Sequence, residues 1–298
     1  VPGRSVSAER VLITGGGGQL ASDLAAQLRD DAEVVAPSRA ELDVTDEAAV
    51  RAVVDRLRPT AVYNCAAFHN VEVCETEEDR AFEVNARAVK RLAAACADHG
   101  ARLVHLSTNY VFDGTSDRPY GEDDLPSPRS IYAISKLAGE HAALAYAPGA
   151  LVVRTAGLYG LHGSASKGGN FVTRMIGRAR EQGSLRVVAD QRLTPTFTSD
   201  LAAGILTAVE AGVTGTLHVT NSGATSWHAF TEAIMELAGV SVPVEAISTV
   251  RQPGAADRPL NAVLVSSVSE RAGLAPLRPW RTALADYLEH AGLLATPA

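Results

Sequence analysis

The feature that most constrains this chain is a glycine run caught between a short apolar strand and a helix. Arg10-Val-Leu-Ile-Thr14 runs straight into Thr14-Gly-Gly-Gly-Gly-Gln-Leu-Ala21, with the spacing Gly15-x-x-Gly18-x-x-Ala21. Glycines allow a tight turn and close approach to the backbone, and the start of the next helix offers free N–H groups to an anion. Such a pattern alone is weak evidence, because ordinary turns are also glycine-rich. Its place at the head of a strand–helix series gives it weight.

Apolar runs then alternate with helical patterns. Strands are expected at 33–36, 61–65, 102–107 and 151–154, and helices at 19–29, 46–57 and 79–99. Apolar strands separated by helices predict a parallel sheet buried on both faces. A doubly wound α/β fold of the Rossmann type follows, with ligands at the carboxyl ends of the strands. Residues 10–157 read as the dinucleotide-binding domain, and 158–298 mainly as a smaller, discontinuous C-terminal substrate lobe. In that lobe, helices are expected near 171–180, 199–210, 226–237 and 279–291, after a flexible loop at 162–169. A strand near 216–220 is expected to return to the main sheet.

Composition narrows the function classes. The 298 residues carry 27 Lys+Arg against 34 Asp+Glu, a formal charge of −7. That balance argues against nucleic acid or an anionic membrane as partner, and no apolar run approaches the ~18 residues of a membrane span. The first ten residues lack a signal-peptide core, so a cytoplasmic protein is expected. Cys65, Cys74 and Cys96 match no zinc spacing, so neither metal nor disulfide is expected.

The end of the second strand bears on which dinucleotide binds. An acidic residue there would hold the ribose 2′-OH of NAD, whereas Arg suits a 2′-phosphate. Here Val34-Val-Ala-Pro-Ser38-Arg39 contains no carboxylate before Glu41. NADPH is therefore expected, with NADH the alternative and Arg39 as the reader. Asp43 and Val44 are placed to meet the adenine.

Tyr132-Ala-Ile-Ser-Lys136 puts a phenol and an ammonium on one helical face. A neighbouring ammonium would lower the phenol pKa and make it a usable proton donor to a carbonyl receiving hydride. Lys136 is also one of only three lysines beside 24 arginines. A second hydroxyl to polarise the carbonyl is available from Ser107 or Thr108 at the carboxyl edge of the sheet.

With these residues in view, the chain resembles the extended short-chain dehydrogenase/reductases, and among them the dTDP-4-dehydrorhamnose reductase family. The matching runs include Leu42-Asp-Val-Thr-Asp46, Asn64-Cys-Ala-Ala67, Val84-Asn-Ala86, Ser107 to Gly114, Pro119-Tyr-Gly-Glu122 and Tyr132 to Glu140. They continue with Gly169-Asn-Phe171, Asp190-Gln191, Pro195-Thr196 and Arg258-Pro259, so the likeness covers nearly all of 10–292. It implies that Thr108, Tyr132 and Lys136 form the catalytic triad. Tyr132 would donate the proton, Thr108 would bind the substrate oxygen, and Lys136 would hold the nicotinamide ribose. Gly15, Gly18, Gln19, Leu20, Arg39, Asp43, Val44, Ala66 and Ala67 would line the cofactor, with Tyr132 and Lys136. Val71, Glu72, Tyr110, Asn170 and Arg258 would face a nucleotide-sugar substrate, and a homodimer is compatible with the family.

Three departures from the family pattern stand out. Asn109 replaces a usual Asp, Phe68-His69 replaces Tyr-Thr, and Gly157 stands where a Trp commonly lies beside the sugar. Loss of an indole face predicts a wider sugar pocket at Gly157. Other readings remain open. A 4,6-dehydratase would need an acid–base pair where Asn109-Tyr110 stands. Another nucleotide-sugar 4-ketoreductase, or an epimerase, would share the Tyr/Lys apparatus. The regulatory subunit of methionine adenosyltransferase resembles this family too, and also carries Asn at that position.

Overall fold

The computed structural model describes residues 9–162, 169–251 and 254–295; most of the loop expected at 162–169 lies outside them. In the first half, β1 (Glu9–Thr14), β2 (Ala32–Val35), β3 (Ala61–Asn64), β4 (Arg102–Thr108) and β5 (Leu151–Thr155) alternate with helices. Those helices are α1 (Gln19–Leu28), α2 (Glu47–Leu57), α3 (Val71–Thr76), α4 (Glu78–Phe82), α5 (Ala88–Asp98) and α6 (Ile131–Tyr146). The second half holds β6 (Leu158–Tyr159), β7 (Leu185–Val188), β8 (Arg192–Leu193), β9 (Thr196–Phe197), β10 (Gly215–His218), β11 (Thr225–Ser226) and β12 (Val244–Ile247). Its helices are α7 (Phe171–Gln182), α8 (Thr198–Glu210), α9 (Trp227–Leu237), α10 (Ser267–Arg271) and α11 (Trp280–His290).

Six strands form one parallel sheet in the order β10-β5-β4-β3-β1-β2. Both faces are covered. Val11 and Ile13 of β1 pack with Leu24, Val153, Leu201 and Ile205, while Leu12 between them packs with Val62, Leu92, Leu103 and Val152 on the other side. Burying each such aliphatic side chain stabilises the fold by roughly 1.5–3 kcal/mol, which is why the strands read as unbroken apolar runs. No helix among the described residues is long and apolar enough to cross a membrane.

Two expectations change. The helix expected at 79–99 is present but not regular: α4 passes through a π-helical turn at Glu83–Arg87 straight into α5, and α3 precedes it. The wider turn carries Asn85, which is fully buried. The helix expected at 199–210 is present as α8, but it does not belong to the substrate lobe. Leu201, Ala202, Ile205 and Ala208 join the core on one face of the main sheet, against α1. β10 follows directly and pairs with β5, so this stretch of the second half completes the first.

The second lobe has its own core. Tyr159, Phe197, Phe230 and Tyr287 pack with Val172, Met175, Ile176 and Leu284. Tyr159 and Tyr287 meet edge to face at 5.2 Å between ring centroids, a favoured aromatic geometry. Asn109 ties the lobes together: its Nδ2 donates to the Ala262 carbonyl at 2.9 Å.

Candidate active site

The glycine turn sits at the carboxyl end of β1, tucked against the end of β2. Gly16 N donates to Pro37 O at 2.9 Å. A Cβ on Gly16 would fall 2.0 Å from Ala36 O, so no other residue fits there. The N-cap of α1 is Gly18, with no side-chain cap, and the Gln19 Oε1 beside it is buried without a partner. An uncapped helix start, with its first backbone N–H groups free to donate, suits the pyrophosphate of a dinucleotide. A Cβ on Gly15 would come within 2.9 Å of Ala66 N, so the turn abuts the Ala66-Ala67 segment after β3. Leu20 is buried beneath it.

At the β2 edge, the Arg39 side chain is 65% exposed and reaches Asp43 at 3.5 Å. Asp43 in turn accepts from Thr45 N and Thr45 Oγ1, which holds its carboxyl below the usual range, with a smaller contribution from Arg39. Arg39 is thus accessible beside the cradle, where a 2′-phosphate would lie. Val44 follows, half-buried.

The chemistry lies where α6 meets the end of β4. Tyr132, Lys136 and Glu140 stand four residues apart on one helical face, and each meets one of three consecutive β4 residues. Tyr132 hydrogen-bonds the Thr108 side chain. The Lys136 ammonium donates to Leu106 O at 2.5 Å. Ser107 Oγ donates to Glu140 Oε1. Ser130 and Glu75 set the start of the helix, Ser130 Oγ by accepting from Ala133 N and Glu75 Oε1 by accepting from Ile131 N.

One electrostatic expectation does not hold. Burial pushes the Tyr132 hydroxyl well above the ordinary phenol range, with Tyr110 and Cys74 adding to it; the Thr108 hydrogen bond offsets only part. Lys136 is itself lowered from 10.5 to about 8 by burial. In this arrangement the ammonium is engaged by β4 rather than by the phenol.

A buried chain runs behind the lysine. Thr14 Oγ1 donates to Asn64 Oδ1 at 2.6 Å, Asn64 Nδ2 lies 3.0 Å from His105 Nδ1, and His105 Nε2 lies 3.5 Å from Lys136 Nζ. Asn85 accepts from Phe68 N and donates to Phe68 O and Ser135 Oγ, which pins the Ala66-Ala67 segment to α6. Sequence reasoning missed Asn64, Asn85, His105, Glu140 and Arg154 as parts of the site's framework. The runs Asn64 to Ala67, Val84 to Ala86 and Tyr132 to Glu140 contained most of them, but spacing alone assigns no partner.

Of the residues expected to face the substrate, three converge. The Tyr110 ring packs edge to face against Tyr132 at 6.0 Å, and Tyr110 hydrogen-bonds Arg258. Arg258 Nη1 pairs with Glu72 Oε1 at 2.6 Å, and Glu72 Oε2 accepts from Ala256 N. The cluster bridges α3 and the 256–258 segment beside the Tyr132–Thr108 pair. Val71, half-buried, begins the helix that carries Glu72.

Two other expected substrate residues are otherwise occupied. Asn170 caps α7 by accepting from Thr173 N, and its two amide hydrogens go to Gly160 O and Tyr287 OH, each at 2.8 Å. Its side chain has no donor left for a sugar. Gly157 adopts a left-handed φ of +56°, and a Cβ there would meet Leu193 Cδ1 at 2.7 Å. The space beside it is filled by Leu193, so the missing indole does not by itself widen the pocket.

A glycine cradle and a Tyr/Lys helix at the carboxyl ends of a parallel sheet define a dinucleotide-dependent oxidoreductase of the α/β class. Comparison with known proteins narrows this. A family model described as the RmlD substrate binding domain matches residues 9–292. A dTDP-4-keto-6-deoxy-D-glucose reductase from Streptomyces niveus is 43% identical over 279 residues, spanning 93% of this chain and 95% of its own. A dTDP-4-dehydrorhamnose reductase from Mycobacterium tuberculosis is 42% identical over 287 residues, covering 94% and 92% of the two chains. The crystal structure of dTDP-4-dehydrorhamnose reductase from Bacillus anthracis, solved in complex with NADP, superposes with a TM-score of 0.90 at 34% identity, over 95% of this chain and 99% of that one. The chain belongs to the RmlD family, the dTDP-4-keto-6-deoxy-sugar 4-reductases, which are NADP-dependent oxidoreductases.

Proposed function

We propose that this chain reduces dTDP-4-dehydro-L-rhamnose to dTDP-L-rhamnose with NADPH. The observation that carries the reading is the Tyr132–Thr108 hydroxyl pair on the face of α6 that also carries Lys136, beside the glycine cradle. The bound dinucleotide supplies a hydride to C4 of the sugar. Tyr132 donates its phenolic proton to the oxygen that becomes negative, and Thr108 hydrogen-bonds that oxygen, where fixed donors act most strongly. Lys136 holds the nicotinamide ribose, and Glu72, Tyr110 and Arg258 orient the nucleotide-sugar. The accessible Arg39, with no acidic residue at the end of β2, favours NADPH over NADH.

The test is loss of NADPH absorbance with enzymatically made dTDP-4-dehydro-L-rhamnose, run beside NADH and a Tyr132→Phe control. Rapid oxidation that the control abolishes, and that NADH supports less well, is the expected result. Oxidation only with dTDP-4-keto-6-deoxy-D-glucose would transfer the assignment to the sugar named for the Streptomyces relative. Tight NADPH binding with no oxidation of either sugar would overturn the reading.

A further inference from the structure

We propose that His105 is a positioning residue for Lys136: the ring turns its Nε2–H toward the lysine nitrogen and so keeps that nitrogen close to giving up its proton. The inference rests on the reading of Lys136 as part of the reacting site.

Strand register builds the arrangement. Thr14, Asn64 and His105 are successive partners across β1, β3 and β4, so their side chains stand in one row on the face covered by α6. Two residues earlier the corresponding row is Leu12, Val62 and Leu103, all apolar core. The polar row is thus a single layer at the carboxyl end of the sheet. All three of its side chains are buried, His105 completely. A Cβ on Gly139, one turn beyond Lys136, would lie 3.2 Å from His105 Nε2, so the ring is held between β4 and α6.

The hydrogens of the row can be placed one after another. Thr14 Oγ1 and Asn64 Oδ1 are 2.6 Å apart, which suits O–H···O and is short for N–H···O. Thr14 therefore donates, and the Asn64 amide turns its Nδ2 to His105 Nδ1 at 3.0 Å. An amide nitrogen only donates, so Nδ1 accepts, and a neutral imidazole then carries its one hydrogen on Nε2. Burial keeps the ring neutral, and Lys136 acts in the same direction. Nε2 lies 3.5 Å from Lys136 Nζ, the outer limit of a hydrogen bond. An N–H dipole at that distance repels an ammonium and attracts the lone pair of an amine.

The other groups around Lys136 leave this balance in place. Among the described residues, Leu106 O is the other hydrogen-bond partner of Nζ, and it accepts from either form. Glu140, on α6, favours the ammonium, but its carboxylate is paired with Arg154 of β5 and Ser107 of β4. The Cys65 thiol after β3 is pushed up to about 12 and stays uncharged near neutral pH. Tyr132 stays uncharged too, pushed above the phenol range by burial.

Two magnetic resonance measurements test the proposal. Nitrogen-15 labelling of the eight histidines reports which ring nitrogen carries the hydrogen, and His105→Asn identifies the signal of His105. The Nε2–H form is expected at pH 7. Carbon-13 labelling at the lysine Cε gives three signals, for Lys90, Lys136 and Lys167, and Lys136→Met assigns the one that matters. His105→Asn keeps an oxygen for Asn64 Nδ2 but withdraws the N–H from Lys136. The Lys136 midpoint should therefore rise by about half a unit or more, and the alkaline limb of kcat should rise with it. His105→Gln restores an amide N–H near the place of Nε2 and should bring both back toward wild type.

A hydrogen on Nδ1, or a midpoint that stays or falls in folded His105→Asn, ends the proposal. If that variant does not fold, the wild-type imidazole signal that does not titrate and that moves in Lys136→Met is the one to read. Its tautomer then decides alone. A raised midpoint with an unmoved kcat limb would uphold the role of His105 while removing Lys136 from the reaction.

Discussion

Lys136 donates its ammonium hydrogen to the backbone carbonyl of Leu106 at 2.5 Å, so the lysine we propose for catalysis is tied to the strand that carries Thr108. The contact orients the side chain in a site where it is 2% exposed and lowered to about 8. Burying this charge costs stability, and the cost varies with pH in a definite direction.

With a folded pKa of about 8 against 10.5 for the free group, the unfolded chain binds more protons between those values. Stability attributable to Lys136 therefore rises with pH across that window, and below it the penalty is at its full size, about 3 kcal/mol. The lost hydrogen bond to Leu106 returns about 1 kcal/mol of that. Lys136→Met should be more stable than wild type by about 2 kcal/mol at pH 7 and inactive, with the gap narrowing as pH rises above about 8. Urea unfolding at three pH values checks it; a variant less stable at pH 7 would refute the sign.

Tyr132→Phe should lower kcat by roughly 10²–10⁴ while leaving NADPH affinity nearly unchanged. The ring and its edge contact with Tyr110 survive, and only the proton and the bond to Thr108 are lost. Stopped-flow turnover with fluorescence titration separates the two effects. Equal losses in both would misassign the residue.

Arg258→Ala should raise KM for the nucleotide-sugar by about 10–100-fold, or roughly 1.4–2.8 kcal/mol, with little change in NADPH binding. Arg258 bridges Glu72 and Tyr110, the residues we propose to orient the nucleotide-sugar. Initial rates over both substrates test this. A change confined to the NADPH constant would move Arg258 to the cofactor.

Asn109→Asp should destabilise the protein by about 1–3 kcal/mol, because the Nδ2 that donates to Ala262 O would become an oxygen facing an oxygen. The residue that departs from the family pattern is thus part of a bond between lobes. Thermal unfolding measures it, and an unaltered Tm would mean the loops re-pair without cost.

Much of the fold was readable because its signals are local. The alternation of apolar strands with helices, the glycine turn and the Tyr132–Lys136 spacing each follow from the chain's own periodicity, and they predicted the parallel sheet and the face of α6. A pattern of period two or 3.6 states which side of an element is apolar without stating what covers it. Three matters therefore waited for tertiary structure. α8 lies some 170 residues beyond α1 in sequence, yet Gln27 Nε2 donates to Ser199 O at 2.9 Å and both helices cover one sheet face. The buried amide of Asn85 reaches Phe68 and Ser135 from a π-helical turn. Asn170 and Gly157 were expected beside the sugar from the family resemblance, but in the fold Asn170 caps α7 and Leu193 fills the space beside Gly157. The sequence alone determined which residues could do chemistry and on which elements they ride. The packing of distant segments decided which polar atoms remain available to a ligand, because a hydrogen bond or a filled space depends on partners that spacing along the chain does not encode.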